Sequence, residues 1–416
     1  MADAYIIDAV RTPRSTGKPG KSAYGTLHPQ NLAASVLVAL KERNNIDTAE
    51  VDDVIWGTNF QAGAQGGDIG RMAALDAGYD VKASGVTLDR FCGSGLTATN
   101  LAAAQIMSGM EDLVVAGGTE LMSVVTQFLI DQAAAGVKKG SLGSNARLQK
   151  RHPQTNQGVA ADAIAALEGI TREALDAFSL ESQRRAAKAI AAGYFAKSLI
   201  PVYDLEGKLL LDHDQHPRPE TTAEGLAALK PAFAKFVDMP SEEGGPTFGE
   251  LIASRYPGIN IVPMHHAGSS SGVVDGAAAL LLASGAYAEK RGWKPRARIV
   301  ATANMGDDPT LMLNAPVPAA RKVLARAGLK ISDIDLFEVN EAFAVVVEKF
   351  IRDLGIDREK INVNGGAIAL GHPIGATGAI LIGTVLDELE RRDLKRALVT
   401  MCAAGGMAPA VIIERV

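Results

Sequence analysis

An internal repeat limits what this chain can fold into more than any other feature. "VDDVIWGTN", ending at Asn59, aligns without gaps to "SDIDLFEVN", ending at Asn340. Cys92 lies 33 residues beyond Asn59, and His372 lies 32 beyond Asn340. Each position sits in a Gly-containing turn that opens a helical stretch of small residues. A β-like run and a glycine pair follow, "LVVAGG" in one half and "CAAGG" in the other. Such self-similarity points to two units of one design, with their chemistry at matching strand-to-helix junctions.

The runs "AYIID", "DVIWG", "DLVVAGG", "ARIVAT", "DLFEVN" and "ALVTMC" read as buried strands. "NLAASVLVALKERN", "LTATNLAAAQIMSGM", "AARKVLARAG" and "ATGAILIGTVLDELERR" read as helices, and the alternation predicts an α/β fold. At 416 residues the chain exceeds one simple core, so two or three units are expected. Leu121 to Ala267 differs in character. It holds a polar run, the helical "REALDAFSLESQRRAAKAIAAGYF", a Pro/Gly-rich section and five of the 7 histidines: His152, His213, His216, His265 and His266. It reads as an insertion folded over a site.

A net charge of −5 leaves no polycationic surface for nucleic acid, although a local basic patch for a phosphorylated ligand remains open. Two cysteines form no disulfide framework, so a reducing compartment, the cytoplasm, is expected. No signal peptide is visible, and "VIIERV" is not a peroxisomal address. The longest uncharged span, Ile361 to Leu386, is broken by Asn, His, Pro and Gly, so no membrane span is expected.

Cys92, in "DRFCGSGLTATN", precedes a helix start. A free thiol titrates near about 8.5, and the unpaired N–H groups of a helix start favour the thiolate. The residue reads as a nucleophile or as a small buried apolar cysteine. His372, in "NVNGGAIALGHPIGATGA", could take the thiol proton and then donate to a carbonyl oxygen. Gly371, Pro373 and Gly375 constrain its backbone more than a surface turn needs. Cys402, in "MCAAGGMAPA", stands at a strand end as a proton shuttle for a carbon acid or as a buried strand residue. Asn340, in "EVNEAFA", could hold a water, orient His372 or cap a helix.

"FCGSGL", "NEAFA", "GGAIALGHPIGATGA" and "CAAGGM" together resemble the thiolase family, the acetyl-CoA C-acyltransferases, as do "DAVRTPR" and "DGAAALLL". The resemblance runs from about Tyr5 to the C-terminus. It implies an α/β thiolase fold, two similar βα halves in a five-layered αβαβα arrangement with an inserted loop domain. Residues 1–120 plus 272–294 would form the first half, 121–271 the CoA-covering insertion and 295–416 the second half. By motif match, Cys92 would carry the acyl group and His372 would activate it. His372, with a water held by Asn340, would stabilise the acetyl-CoA enolate, and Cys402 would be the acid/base at the acetyl carbon. The N–H groups of Cys92 and Ala404 would form a second oxyanion hole, and Arg218, Ala267, Ser271 and Phe343 would meet CoA. The resemblance implies thiolytic cleavage of a 3-oxoacyl-CoA, with CoA as a substrate, no other cofactor, no metal, and a homodimer or homotetramer.

Several positions depart from the family pattern. Ala404 replaces a glycine, Ser269 replaces an Asn before the serines, and Asn156–Gln157 replace the His–Met pair of short-chain acetoacetyl-CoA enzymes. The segment 233–267 is longer than expected, which puts a role for Phe233 at the CoA adenine in doubt. It also brings His265 and His266 beside the acyl pocket, as polar lining or as packing. The alternatives are acetoacetyl-CoA condensation, a decarboxylating condensing enzyme and a non-catalytic acyl-CoA-binding relative. The last two conflict with the presence of Cys402, "NEAF" and every catalytic position. A dinucleotide fold fails because "GSGLTATN" lacks the G-x-G-x-x-G spacing.

Overall fold

The structure is a computed structural model that describes residues 2–136, 145–242 and 244–416. The first half runs β1 (Ala4–Arg11), β2 (Ser15–Thr16), α1 (Pro29–Asn44), β3 (Asp53–Gly57), α2 (Ile69–Asp76), β4 (Val86–Leu88), α3 (Ser94–Ser108) and β5 (Leu113–Leu121). The intervening stretch carries α4 (Met122–Ala134), α5 (Ala146–Arg151), α6 (Gln157–Glu168), α7 (Arg172–Ala191), a hairpin of β6 (Val202–Tyr203) and β7 (Leu209–Leu211), then α8 (Ala223–Ala227), α9 (Ala234–Val237) and α10 (Phe248–Arg255). Part of its polar run, 137–144, lies outside the described residues. β8 (Val274–Ser284) and α11 (Gly285–Arg291) return to the first half. The second half follows as β9 (Ala297–Gly306), α12 (Pro316–Ala327), β10 (Leu336–Val339), α13 (Ala344–Leu354), α14 (Ala367–Leu370), α15 (Ile374–Arg391), β11 (Arg396–Thr400) and β12 (Met407–Arg415).

The sequence repeat is a repeat of topology. In the first half β3 pairs parallel with β5, β5 antiparallel with β8, and β8 antiparallel with β1. In the second half β10 pairs parallel with β11, β11 antiparallel with β12, and β12 antiparallel with β9. The two half-sheets join edge to edge through a short ladder, Tyr5 opposite Arg298 and Ile6 opposite Ala297. One ten-stranded sheet results, nine strands in a continuous path from β10 to β4 and β2 paired with β8 off it.

Side-chain alternation sorts the core into layers. Along β3, Val54 and Trp56 face an outer core with Leu32, Leu37 and Leu40 of α1 and Ile69 of α2, whereas Ile55 faces inward. Along β11, Leu398 faces an outer core with α12 and α13, whereas Ala397 and Val399 face inward. The inner core is shared. Leu96 and Ile106 of α3 and Ile382 and Val385 of α15 pack there with strands of both halves, and α3 and α15 also touch each other. These two helices therefore form a layer between the half-sheets, which matches the expected five layers. Each large aliphatic side chain so enclosed contributes roughly 1.5–3 kcal/mol of transfer free energy. No helix among the described residues is long and apolar enough to cross a membrane.

A buried ion pair fastens the intervening stretch to the first half. Arg11 on β1 donates two hydrogen bonds to Asp214 at 2.9 Å, and Asp214 also accepts from the Arg14 N–H at 2.8 Å. Burial raises the Asp214 carboxyl, but Arg11 and Arg14 outweigh it and the net shift is downward.

Candidate active site

The repeat brings two helix starts into contact. A side chain has no room where α3 and α15 cross: a Cβ on Gly378 would lie 2.0 Å from the Leu96 backbone nitrogen. One on Gly95 would lie 2.5 Å from the Gly375 carbonyl oxygen. Cys92 lies two residues before α3, and His372 two before α15. The helix contact therefore sets the separation of the two side chains. Pro409 of β12 closes on the same turn, against Gly93. Cys402 follows the end of β11, close enough that charge on Cys92 raises its pKa.

The turn at Cys92 is tense. Phe91 holds φ at +49°, a left-handed conformation costly for an aromatic residue. Its N–H donates to Asp89 at 2.6 Å, and its carbonyl accepts from the Ser94 hydroxyl at 2.6 Å. The thiol does not titrate as the helix start alone predicts. Burial, then Glu120, then Asp89 push the Cys92 pKa up to about 12, against one favourable contact from its own N–H. Desolvation outweighs the helix start here, so the resting residue is a thiol. Burial raises Cys402 as well, followed by the effect of Cys92.

His372 is buried and held on two sides. Its backbone N–H donates to the Gly272 carbonyl at 2.8 Å, and its Nδ1 shares a 2.6 Å hydrogen bond with the Thr377 hydroxyl. Gly371 supplies the turn before it at φ +92°. Burial, then Arg14, lower its pKa to about 3, so the ring is neutral at physiological pH. Its Nε2 is buried and finds no partner among the described residues, and the same holds for both side-chain polar atoms of Asn340. Asn340 does not cap a helix, because α13 begins at Ala344 with Phe343 at the cap position. Buried polar atoms left unpaired cost about 1–3 kcal/mol each, and a functional site is one place where that cost persists. Glu341 beside it is structural: it accepts from Ser182, Asn362 and the Ile368 N–H.

A cavity of about 590 Å³ opens at the surface, lined by Lys18, His216, Arg218, Ala267, Ser271 and Gly272, among others. Three of the four residues assigned to CoA, Arg218, Ala267 and Ser271, therefore share one wall system with a second cationic side chain, Lys18. Phe343 does not line this cavity. It pairs through its backbone with Ser270 and packs edge-on against Phe233, ring centroids 5.7 Å apart. Ala404 lies in the tight turn after β11, which Ala403 and Met407 close with two backbone hydrogen bonds. The N–H groups of Cys92 and Ala404 find no backbone acceptor among the described residues.

Some contributors were not singled out from sequence. Glu120, at the end of β5, accepts from the N–H groups of Asn59, Phe60 and Gly375 and from Gln65. It thereby ties the Asn59 turn to the start of α15. Thr377 and Arg14 sit within the quoted "GHPIGATGA" and "DAVRTPR"; Thr377 partners His372 in the same motif, whereas Arg14's partner Asp214 lies 200 residues away. The longer segment also resolves. Phe233 lies over Gly158, where any Cβ would come within 2.1 Å of its ring. His265 and His266 are buried on carboxylates of the insertion, His265 Nδ1 with Asp162 and His266 Nε2 with Asp176, each at 2.7 Å. Neither lines the cavity. Asn156 caps α6 by accepting from the Gly158 N–H.

Residues 4–236 match the family model for the thiolase N-terminal domain, and residues 293–415 that for the thiolase C-terminal domain. The chain belongs to the thiolase family. Its similarity to other thiolases runs end to end. A 3-oxoadipyl-CoA/3-oxo-5,6-dehydrosuberyl-CoA thiolase of Escherichia coli is 41% identical, with 100% of both chains covered. A beta-ketoadipyl-CoA thiolase of Acinetobacter baylyi is 39% identical with the same coverage. A steroid 3-ketoacyl-CoA thiolase of Mycobacterium tuberculosis is 40% identical over 100% of this chain and 95% of its own. The solved acetyl-CoA acetyltransferase of Bacillus anthracis superposes with a TM-score of 0.82 at 34% identity, covering 100% of this chain and 99% of that one.

Proposed function

We propose that this thiolase cleaves a 3-oxoacyl-CoA with CoA through an acyl group carried on Cys92. One observation carries the assignment of residues. It is supported by the crossing of α3 and α15, whose starts follow Cys92 and His372, together with the buried, unpaired His372 Nε2 and Asn340 side chain. In the proposed cycle the Cys92 proton moves to His372 Nε2 and the sulfur attacks the 3-keto carbon. The bond between the alpha and beta carbons breaks, and its electron pair becomes the acetyl-CoA enolate. His372 Nε2–H and a water on Asn340 stabilise the enolate oxygen, and Cys402 protonates the carbon. The thiol of a second CoA returns a proton to Cys402, and its sulfur takes the acyl group. Dividing the reaction through a thioester lowers each barrier.

CoA binding in the large cavity is supported by Lys18 and Arg218 on its wall, which suit phosphate groups. CoA serves as a substrate, and the cycle uses no further cofactor or metal. Cleavage is the favoured direction, which places the enzyme in degradation of acyl chains, in fatty-acid β-oxidation or in the breakdown of adipyl-type acyl groups such as its relatives' names describe. Cytoplasmic residence and a homodimer or homotetramer complete the reading. The test is a panel of 3-oxoacyl-CoA thioesters, straight-chain and 3-oxoadipyl, assayed with CoA by loss of magnesium-enolate absorbance. Cys92→Ala should abolish turnover and the acyl-enzyme mass, and Cys402→Ser should lower kcat by about 10²–10⁴-fold. Turnover surviving Cys92→Ala would remove the nucleophile assignment.

A further inference from the structure

We propose that Thr377 and Glu338 form a proton relay behind His372, so that Nδ1 gives up its proton while Nε2 takes the one from Cys92. The inference rests on Cys92 and His372 being the nucleophile and its base. Three observations carry it. The Thr377 hydroxyl, which can donate and accept together, shares the 2.6 Å bond with His372 Nδ1. Thr377, Glu338, Asn340 and Arg14 line one internal cavity. Its volume, about 10 Å³ counted over water centres, is close to the minimum for one water molecule, about 10–15 Å³. Glu338, at the end of β10, is only 2% exposed, and no described residue bonds its carboxyl.

The chemistry requires an exit for that proton. Protonating Nε2 of a ring that already carries hydrogen on Nδ1 makes an imidazolium, which burial and the nearby Arg14 oppose. Through the relay the ring stays neutral. The Cys92 S–H bond breaks and Nε2–H forms. Nδ1–H breaks as Thr377 accepts, and the Thr377 proton passes through one water to Glu338. Cys92 becomes a thiolate and Glu338 a carboxylic acid, so charge is conserved. The Nε2–H left behind is the donor that the enolate oxygen needs. When CoA releases Cys92 as a thiolate, the same path runs backward. The relay needs Glu338 to rest as a carboxylate and to hold a proton only in passing, so its proton affinity must be balanced. Burial, Glu341 and Glu388 raise the Glu338 proton affinity, and Arg14 and Arg185 oppose them.

The test reads thiolate formation without substrate. Alkylation of Cys92 by iodoacetamide is followed by mass spectrometry from mildly acid to alkaline pH. Thr377→Val should slow it about 10²-fold at neutral pH, with recovery at alkaline pH where hydroxide replaces the relay. Thr377→Ser should restore the neutral-pH rate, and Glu338→Gln should reproduce the Val defect. A merely structural role would depress alkylation equally at every pH. Wild-type alkylation in both Thr377→Val and Glu338→Gln, or a uniform loss across pH, would overturn the relay. If either variant fails to fold, the wild type decides. A curved proton inventory for single-turnover acylation supports several protons in flight, and a straight line overturns them. Failure of the parent reading is separate, because it appears as turnover in Cys92→Ala.

Discussion

Gly378→Ala tests whether the contact of two helices sets the catalytic geometry. The added Cβ would lie 2.0 Å from the Leu96 nitrogen and 2.5 Å from its Cα, against about 3.4 Å for ordinary contact. The backbones of α3 and α15 must therefore part by more than about 1 Å near their starts. Overpacking of this kind costs about 1–3 kcal/mol, and Ala regains about 0.8–1.0 kcal/mol of helix propensity over Gly. The net loss of stability is small, about 0–2 kcal/mol. Catalysis should suffer more. Misplacing reacting groups by about 1 Å costs about 10²-fold, equivalent to about 2.7 kcal/mol of barrier. The control is Gly383→Ala on the same helix, where the new Cβ would meet only Ala9 at 3.3 Å. Thermal melts and single-turnover acylation rates should separate the two variants. Gly378→Ala should melt within a few degrees of wild type yet acylate about 10²-fold more slowly, whereas Gly383→Ala should keep its rate. Equal rates in Gly378→Ala and wild type, or equal losses in both variants, would refute the reasoning.

Two further outcomes follow from charges held inside the fold. Asp214→Asn leaves Arg11 and Arg14 buried without their counter-charge, so stability should fall by about 3–5 kcal/mol, read as a lowered denaturation midpoint. Partial recovery of stability on replacing Arg11 with Met in the same variant, with Arg14 still unpaired, would support the cause, and a neutral Asp214→Asn would dismiss it. His372 titrates near about 3 when folded and near about 6.5 when unfolded. The unfolded chain therefore binds the extra proton first as pH drops, so this contribution to stability is complete above about 6.5 and declines toward about 3. His372→Gln should flatten that part of the stability–pH curve measured by denaturant melts, and an unchanged slope would contradict the buried neutral ring.

Much of this was legible because chemistry and topology coincide at the repeat. Asn59 with Cys92 and Asn340 with His372 mark equivalent turns, and the six β-like runs correspond to β1, β3, β5, β9, β10 and β11. What was not legible depends on partners distant in sequence. β8, "VDGAAALLLAS", has the composition of a helix, but both its faces are covered, and burial on two sides removes the polar alternation that marks a strand. β12 was likewise not among the runs read as strands. The favourable helix start at Cys92 could be read from its neighbours. The larger opposing effect comes from burial and from Glu120, which only the folded sheet brings near. Asn340 looked able to cap a helix because Asn favours that role, but the helix begins four residues later and leaves its side chain unpaired.

The two thiols also impose an order on the proposed cycle. Each is costly to ionise because it is desolvated, Cys402 buried and Cys92 half-buried, and charge on Cys92 makes Cys402 harder to ionise still. Two thiolates side by side would carry both desolvation costs and their mutual repulsion. The cycle avoids that state. Cys402 loses its proton to the enolate only while Cys92 is a neutral thioester. Cys92 regains negative charge only after the incoming CoA thiol has returned a proton to Cys402. Like-charge repulsion thus separates the two half-reactions in time without a moving part. An intermediate with both sulfurs alkylatable as thiolates at neutral pH, trapped during turnover, would break this argument.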